Sequence, residues 1–156
     1  MICNSSPLIF LSKINKLILL RDLFKRITIP EQVKNEVLFE SKEGYHPIKE
    51  AIEKKWIIVE NPKNDVELGI GKGENSAINL AREKNEGLII DDLRAVKIAK
   101  SLNIDFVRTT DILLLAFKKG LINKEETTRL FDELIKNKYY LSPRFYLEII
   151  RKIESL

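Results

Sequence analysis

The run Gly87-Leu88-Ile89-Ile90-Asp91-Asp92-Leu93-Arg94-Ala95-Val96-Lys97-Ile98-Ala99-Lys100-Ser101-Leu102 decides how this chain folds. It opens on a glycine and three apolar residues, which reads as a short buried strand. From Asp92 the period changes. Ala95, Val96 and Ala99 stand three, four and seven positions beyond it, along one face of a helix. A buried strand running straight into an amphipathic helix is half of a βαβ unit.

The same switch of period recurs on both sides. Residues 2–4 read as a strand, followed by helices over 7–14 and 16–24. Residues 26–29 form a second strand, after which Pro30 opens a helix at its first turn with Glu31 beside it. A helix over 47–54 precedes a strand over 56–60, and a helix over 73–84 precedes the run quoted above. A last strand over 105–108 is followed by helices over 111–119, 124–137 and 142–153. Strands separated by helices predict an α/β protein with a mainly parallel sheet and right-handed crossovers, ending in a C-terminal helical hairpin.

Composition narrows the chemistry. A chain of 156 residues suits one domain, 1–156, and 44% apolar with 32% charged residues belongs to a folded protein. No apolar run approaches the roughly 18 residues a membrane span needs. Residues 1–11 lack a basic start and a small-residue cleavage site, so a cytoplasmic protein with no membrane partner is expected. The single cysteine, Cys3, rules out an internal disulfide and suits a reducing compartment. It lies in an apolar stretch and is expected to be a buried structural thiol. A catalytic thiol would want a histidine, and His46 falls in a polar loop. One Cys and one His cannot build a zinc site. Trp56 is expected to anchor core or loop. The net charge of +4 permits a nucleic-acid partner without demanding one.

In an open parallel sheet, ligands collect beyond the carboxyl ends of the strands. Asn4, Ser5 and Ser6 follow the first strand, Asp91 and Asp92 the fourth, and Thr109, Thr110 and Asp111 the fifth. Glu74 heads a helix whose apolar stripe is Ala77, Ile78 and Ala81, so it lies along the face that packs on the sheet. Glu36, among Val33, Val37 and Phe39, stands at the edge of a buried face. Each acid also has an ordinary use: Asp92 and Asp111 as N-caps, Glu74 as a favourable charge at a helix start. Gathered on one rim, they would repel unless a cation intervened, and Mg²⁺ or Mn²⁺ held by oxygens answers that repulsion. Such an ion activates water and clamps a scissile phosphate. The stretch Gly69-Ile70-Gly71-Lys72-Gly73 lacks the Walker pattern and reads as a loop leading into the Glu74 helix. Lys72 and Arg94 are candidates for backbone phosphate contacts, with a surface salt bridge the alternative for Arg94. A receiver-type regulatory domain also gathers acids at one rim, but it would want a Lys after the last strand, where Asp111 stands.

Four motifs in order carry a family resemblance. Asn4-Ser5-Ser6-Pro7-Leu8-Ile9, Ile29-Pro30-Glu31-Gln32-Val33 through Glu36, Gly71-Lys72-Gly73-Glu74-Asn75-Ser76-Ala77-Ile78, and Leu88 through Ala99 together resemble the PIN domain across residues 1–120. The resemblance extends to prokaryotic nucleic-acid-binding PIN proteins allied to the VapC-type toxins of toxin–antitoxin modules. The resemblance implies a three-layer α/β/α fold and an Mg²⁺- or Mn²⁺-dependent endoribonuclease. It also implies a homodimer and a small antitoxin protein as partner. Carried over, the acidic quartet is Asn4, Glu36, Glu74 and Asp92, with Ser6 as a supporting hydroxyl, Asp91 able to exchange roles with Asp92, and Asp111 as an extra acid. Asn4 departs from the family, where Asp is usual. An amide oxygen still ligates a hard cation, but without negative charge. A weakened or inactive relative that binds RNA or a protein is therefore the alternative reading.

Overall fold

The computed structural model describes residues 1–40 and 44–156. Its elements run β1 Ile2–Cys3, α1 Ser5–Lys13, α2 Ile18–Phe24, β2 Ile27–Ile29, α3 Glu31–Val37, α4 Tyr45–Glu53 and β3 Ile57–Val59. After these come α5 Lys72–Lys84, β4 Leu88–Ile89, α6 Leu93–Ser101, β5 Phe106–Val107, α7 Thr109–Lys118, α8 Lys124–Lys136 and α9 Pro143–Ser155. Every predicted strand and helix forms, with ends shifted by up to two residues. His46 is a correction: it lies in the first turn of α4, where its exposed side chain meets Tyr45 edge-on, and not in a loop.

The five strands form one parallel sheet in the order β3-β2-β1-β4-β5. Winding proceeds outward from β1 through β2 to β3, returns to the other side of β1 at β4, and continues to β5. Right-handed crossovers then put α1, α2 and α4 on one face of the sheet and α5 and α6 on the other, while α3 packs against both α1 and α5. This is the three-layer α/β/α arrangement. The direction of winding reverses between β1 and β4, whose carboxyl ends flank the crevice where such sheets bind ligands.

The alternation of the strands sorts the core. Ile2, Leu88 and Ile90 are fully buried among Ala77, Ile78 and Ala81 of α5 and Ala95, Val96 and Ala99 of α6. Cys3 and Ile89, one residue out of phase, belong to the opposite face. Two compact units divide the chain, Met1–Thr109 and Thr110–Leu156. In the second, α8 and α9 pack as a helical hairpin on buried Leu130, Phe131, Leu134, Ile149 and Ile153. The Tyr146 hydroxyl donates to Asp132 Oδ1 at 3.0 Å across this hairpin, which raises the phenol's pKa.

Burial pushes the Cys3 thiol well above its ordinary value, and the nearby Asp91 charge adds to the effect. Native protein at pH 8 is accordingly expected to react with a disulfide reagent only as fast as it unfolds. A titration showing one rapidly modified thiol in folded protein would overturn that placement.

Candidate functional site

Asn4 ends β1 at the reversal of winding. Its N–H donates to Ile89 O at 3.0 Å, which ties it to β4. It also occupies the N-cap position of α1, where an Asn side chain ordinarily accepts a bond from the first turn. Here it makes no cap bond. The strand alternation puts Asn4 on the same side as Ile2, toward α5, and its Nδ2 donates to Glu74 Oε1 at 3.3 Å. Only 1% of the residue is exposed, and Oδ1 is buried with no hydrogen-bond partner. A buried acceptor left unmatched costs about 1–3 kcal/mol. The residue has given up a local cap for a long-range bond and an unmatched oxygen at the mouth of the crevice.

The next residue reaches a second acid. Ser5 Oγ donates to Glu36 Oε2, joining the start of α1 to the last turn of α3. The Glu36 carboxylate meets the α5 backbone at Gly73 with both oxygens: a Cβ built there would stand 2.5 to 2.8 Å from its carboxyl atoms. Gly71 is likewise covered by the Glu74 carboxylate. Glycines at these places let the two acids lie against the start of α5. Asn4, Ser5, Glu36 and Glu74 are thus brought together.

The fourth strand separates its two acids. Asp91 accepts from Thr109 N at 2.9 Å and Thr109 Oγ1 at 2.6 Å, across the top of β5. Asp92, in phase with Ile90, is exposed and caps α6, its Oδ1 accepting from Ala95 N at 2.9 Å. The ordinary use foreseen for Asp92 is therefore real, and it occupies one oxygen of the carboxylate. Arg94 turns to the backbone, its Nη2 donating to Gly69 O at 3.1 Å. Lys72 is exposed at the first position of α5, and Ser6 is half-buried beside Ser5. Asp111 stands in the first turn of α7, in the second unit.

Among the described residues, no three His, Cys, Asp or Glu side chains are gathered closely enough to hold a metal ion by themselves. The donor chemistry nevertheless fits a hard cation. Every candidate atom is an oxygen, and the unmatched Asn4 Oδ1 is an acceptor in want of a positive partner. Asn4 and Glu74, bonded to each other, could offer oxygens to such an ion, with Glu36 against Gly73 beside them.

Sequence reasoning missed Ser5 and Thr109 as the hydroxyls that hold the acids. Both were visible as polar residues following strands, and the choice of Ser6 over Ser5 turned on where α1 begins.

An open parallel sheet with polar and acidic side chains ranged along its switch-point rim defines an α/β protein whose ligand site lies at the carboxyl ends of its strands. The chain belongs to the PIN-domain family, whose model matches residues 1–155. Domains of this family are generally nucleases that bind nucleic acids and use divalent metals. Among solved structures the chain is similar to a PilT N-terminus domain protein from the hyperthermophilic archaeon Sulfolobus solfataricus P2, with a TM-score of 0.55 and 20% identity over 74% of this chain and 93% of that one. That likeness concerns the fold. No curated protein matches the chain. No helix among the described residues is long and apolar enough to cross a membrane.

Gly73→Ala tests the seat of Glu36. Alanine favours a helix over glycine by about 1 kcal/mol, and the atom it strikes is the far end of a flexible side chain. The expected outcome is a melting temperature within a few degrees of the parent, with Mn²⁺ affinity reduced roughly tenfold as Glu36 leaves Ser5. Unchanged Mn²⁺ binding by calorimetry would count against a role for Glu36.

Proposed function

We propose that this protein is a metal-dependent endoribonuclease of PIN type, hydrolysing RNA phosphodiesters with Mg²⁺ or Mn²⁺ in the manner of a toxin. The observation that carries the reading is the buried amide of Asn4 at the switch point, bonded to Glu74 on one side and unmatched on the other. A bound divalent ion supplies an activated water and a clamp for the scissile phosphate. Glu74 and Asp92, with Glu36 next, supply the negative charge that attracts it, and Asp91 holds Thr109 and steadies the rim. Lys72 and Arg94, both exposed at helix starts beside this rim, suit contacts with the RNA backbone. The toxin reading brings with it a small antitoxin partner, a homodimer and a cytoplasmic setting, all on the strength of family kinship.

A specific observation favours a second reading. Each acid already has a neutral donor of its own: Asn4 for Glu74, Ser5 for Glu36, Thr109 for Asp91 and the Ala95 amide for Asp92. Such pairing lessens the need for a cation, as a catalytically weakened protein that binds RNA or a protein partner would permit.

Two variants separate these readings. Glu74→Gln combined with Asp92→Asn should lower Mn²⁺-dependent cleavage of RNA by about 100-fold or more while leaving the circular dichroism spectrum intact. Persistent cleavage by the folded double variant ends the nuclease assignment. Asn4→Asp replaces the amide donor with a carboxylate facing Glu74, so two like charges meet. Without metal its melting temperature should fall, equivalent to a loss of about 1–3 kcal/mol. Mn²⁺ should then raise it by more than it raises the parent, since an ion bound only to the folded state adds about 2.7 kcal/mol at 100 times its Kd. Cleavage should rise with it. Equal Mn²⁺-induced shifts in the two proteins would show that position 4 does not touch the ion.

A further inference from the structure

Helix α5 buries three polar side chains that its apolar stripe does not require: Asn75 at 6%, Ser76 at 2% and Asn79 at 3% exposure. Buried polar groups demand partners, and all three find them in one loop. Asn75 Nδ2 donates to Asp65 Oδ1 at 2.8 Å and to Val66 O at 2.9 Å, while its Oδ1 accepts from Leu68 N at 2.7 Å. Asn79 Nδ2 donates to Asp65 Oδ1 at 3.1 Å and to Val66 O at 2.8 Å, and Ser76 Oγ donates to Asp65 Oδ2. One turn further along, Glu83 accepts the N–H groups of Lys63 and Asn64, each at 2.8 Å. Positions 75, 76, 79 and 83 lie on one side of the helical repeat, so residues 63–68 are stitched along a single stripe of the helix they precede.

The stitched segment leads directly to the rim. Gly69, in the left-handed region at φ +73°, turns the chain, and its N–H is held by Glu67 Oε1 at 2.9 Å. Its carbonyl accepts from Arg94 Nη2 at 3.1 Å. Arg94 stands two residues beyond Asp92, in the first turn of α6. A guanidinium carries five N–H donors in a rigid fork, so this bond sets its direction and leaves other donors to face a ligand.

We propose that Asp65 is a positioning residue: by clasping the polar face of α5 it fixes the Gly69 carbonyl, which aims Arg94 at the phosphate backbone of RNA bound across the rim. The role rests on the RNA-binding reading above. Asp65 itself need not touch RNA. Its charge matters because a carboxylate accepts from three side chains at once, whereas an amide in its place would turn an NH₂ group toward the donors of Asn75, Asn79 and Ser76.

The test is a double-mutant cycle on full-length protein, reading the Kd for a fluorescein-labelled single-stranded RNA without divalent metal, so that cleavage plays no part. Arg94→Ala, Asp65→Asn and the pair are compared, with amide hydrogen exchange followed at residues 64–70. The expected result is faster exchange at Leu68 in Asp65→Asn, RNA binding weakened about fivefold to tenfold by either change, and little further loss in the pair. Each single variant should also lower the slope of log Kd against log salt by about one. Additive losses, or unaltered binding by Asp65→Asn, overturn the positioning role while the functional reading stands. Parent protein that binds no RNA at low salt overturns the functional reading and the inference with it. If Asp65→Asn lacks a cooperative unfolding transition, Gly69→Ala takes its place in the cycle: open space surrounds that position, but a side chain is strained at its φ. The same pattern is then expected, and additivity there also refutes the role.

Discussion

The site depends on the place where β1 ends against β4. A parallel sheet that winds outward from β1 and then returns past it must leave a gap between two carboxyl ends, and Asn4 is the residue standing in it. Its backbone belongs to the sheet through Ile89, its N-cap position belongs to α1, and its side chain belongs to neither, reaching instead to Glu74. Strand alternation makes this geometry obligatory. Because Ile2 must face the α5 side to fill the core, Asn4 two residues later faces the same helix, and the helix meets it with Glu74 in its first turn. Shifting β1 by one residue would bury the amide against α1 and turn Cys3 toward α5.

The electrostatic character of the rim is set by the residues that share it with the acids. Four carboxylates stand along it, yet each is met by an uncharged donor. An amide or hydroxyl donor holds a carboxylate in place without itself carrying charge. A second carboxylate at position 4 would stand against Glu74 and make the metal-free fold harder to maintain. Asn at this position spares the fold that repulsion. The unmatched oxygen of Asn4 is the acceptor that this arrangement leaves over.

Most of the architecture was legible because it is written in period. The change from a buried run to the 3.6-residue repeat at Asp92, and its recurrence around Pro30 and Glu74, placed every strand and helix in order. The faces on which Glu74 and Asp92 stand were legible for the same reason: both lie three, four and seven residues before alanines and branched residues that proved to be core. Single-residue phases escaped. Whether Ser5 or Ser6 meets Glu36 depends on α1 starting at Ser5, and whether Asp91 or Asp92 faces α6 depends on how far beyond Ile89 the alternation persists. Composition and spacing tolerate an error of one residue, whereas side-chain direction reverses with it.

The Asp65 clasp was illegible for a different reason. Asn75, Ser76 and Asn79 look like a solvated face when the helix is read alone, since nothing local distinguishes a polar stripe that meets water from one that meets a loop. Only the folded chain reveals that the preceding segment returns onto it, supplying a carboxylate and backbone groups in place of solvent. The choice has a physical logic. An apolar stripe would have held the loop by contact area and let it slide, while polar groups with fixed directions admit one register. A loop that must present one carbonyl to one guanidinium needs that kind of hold.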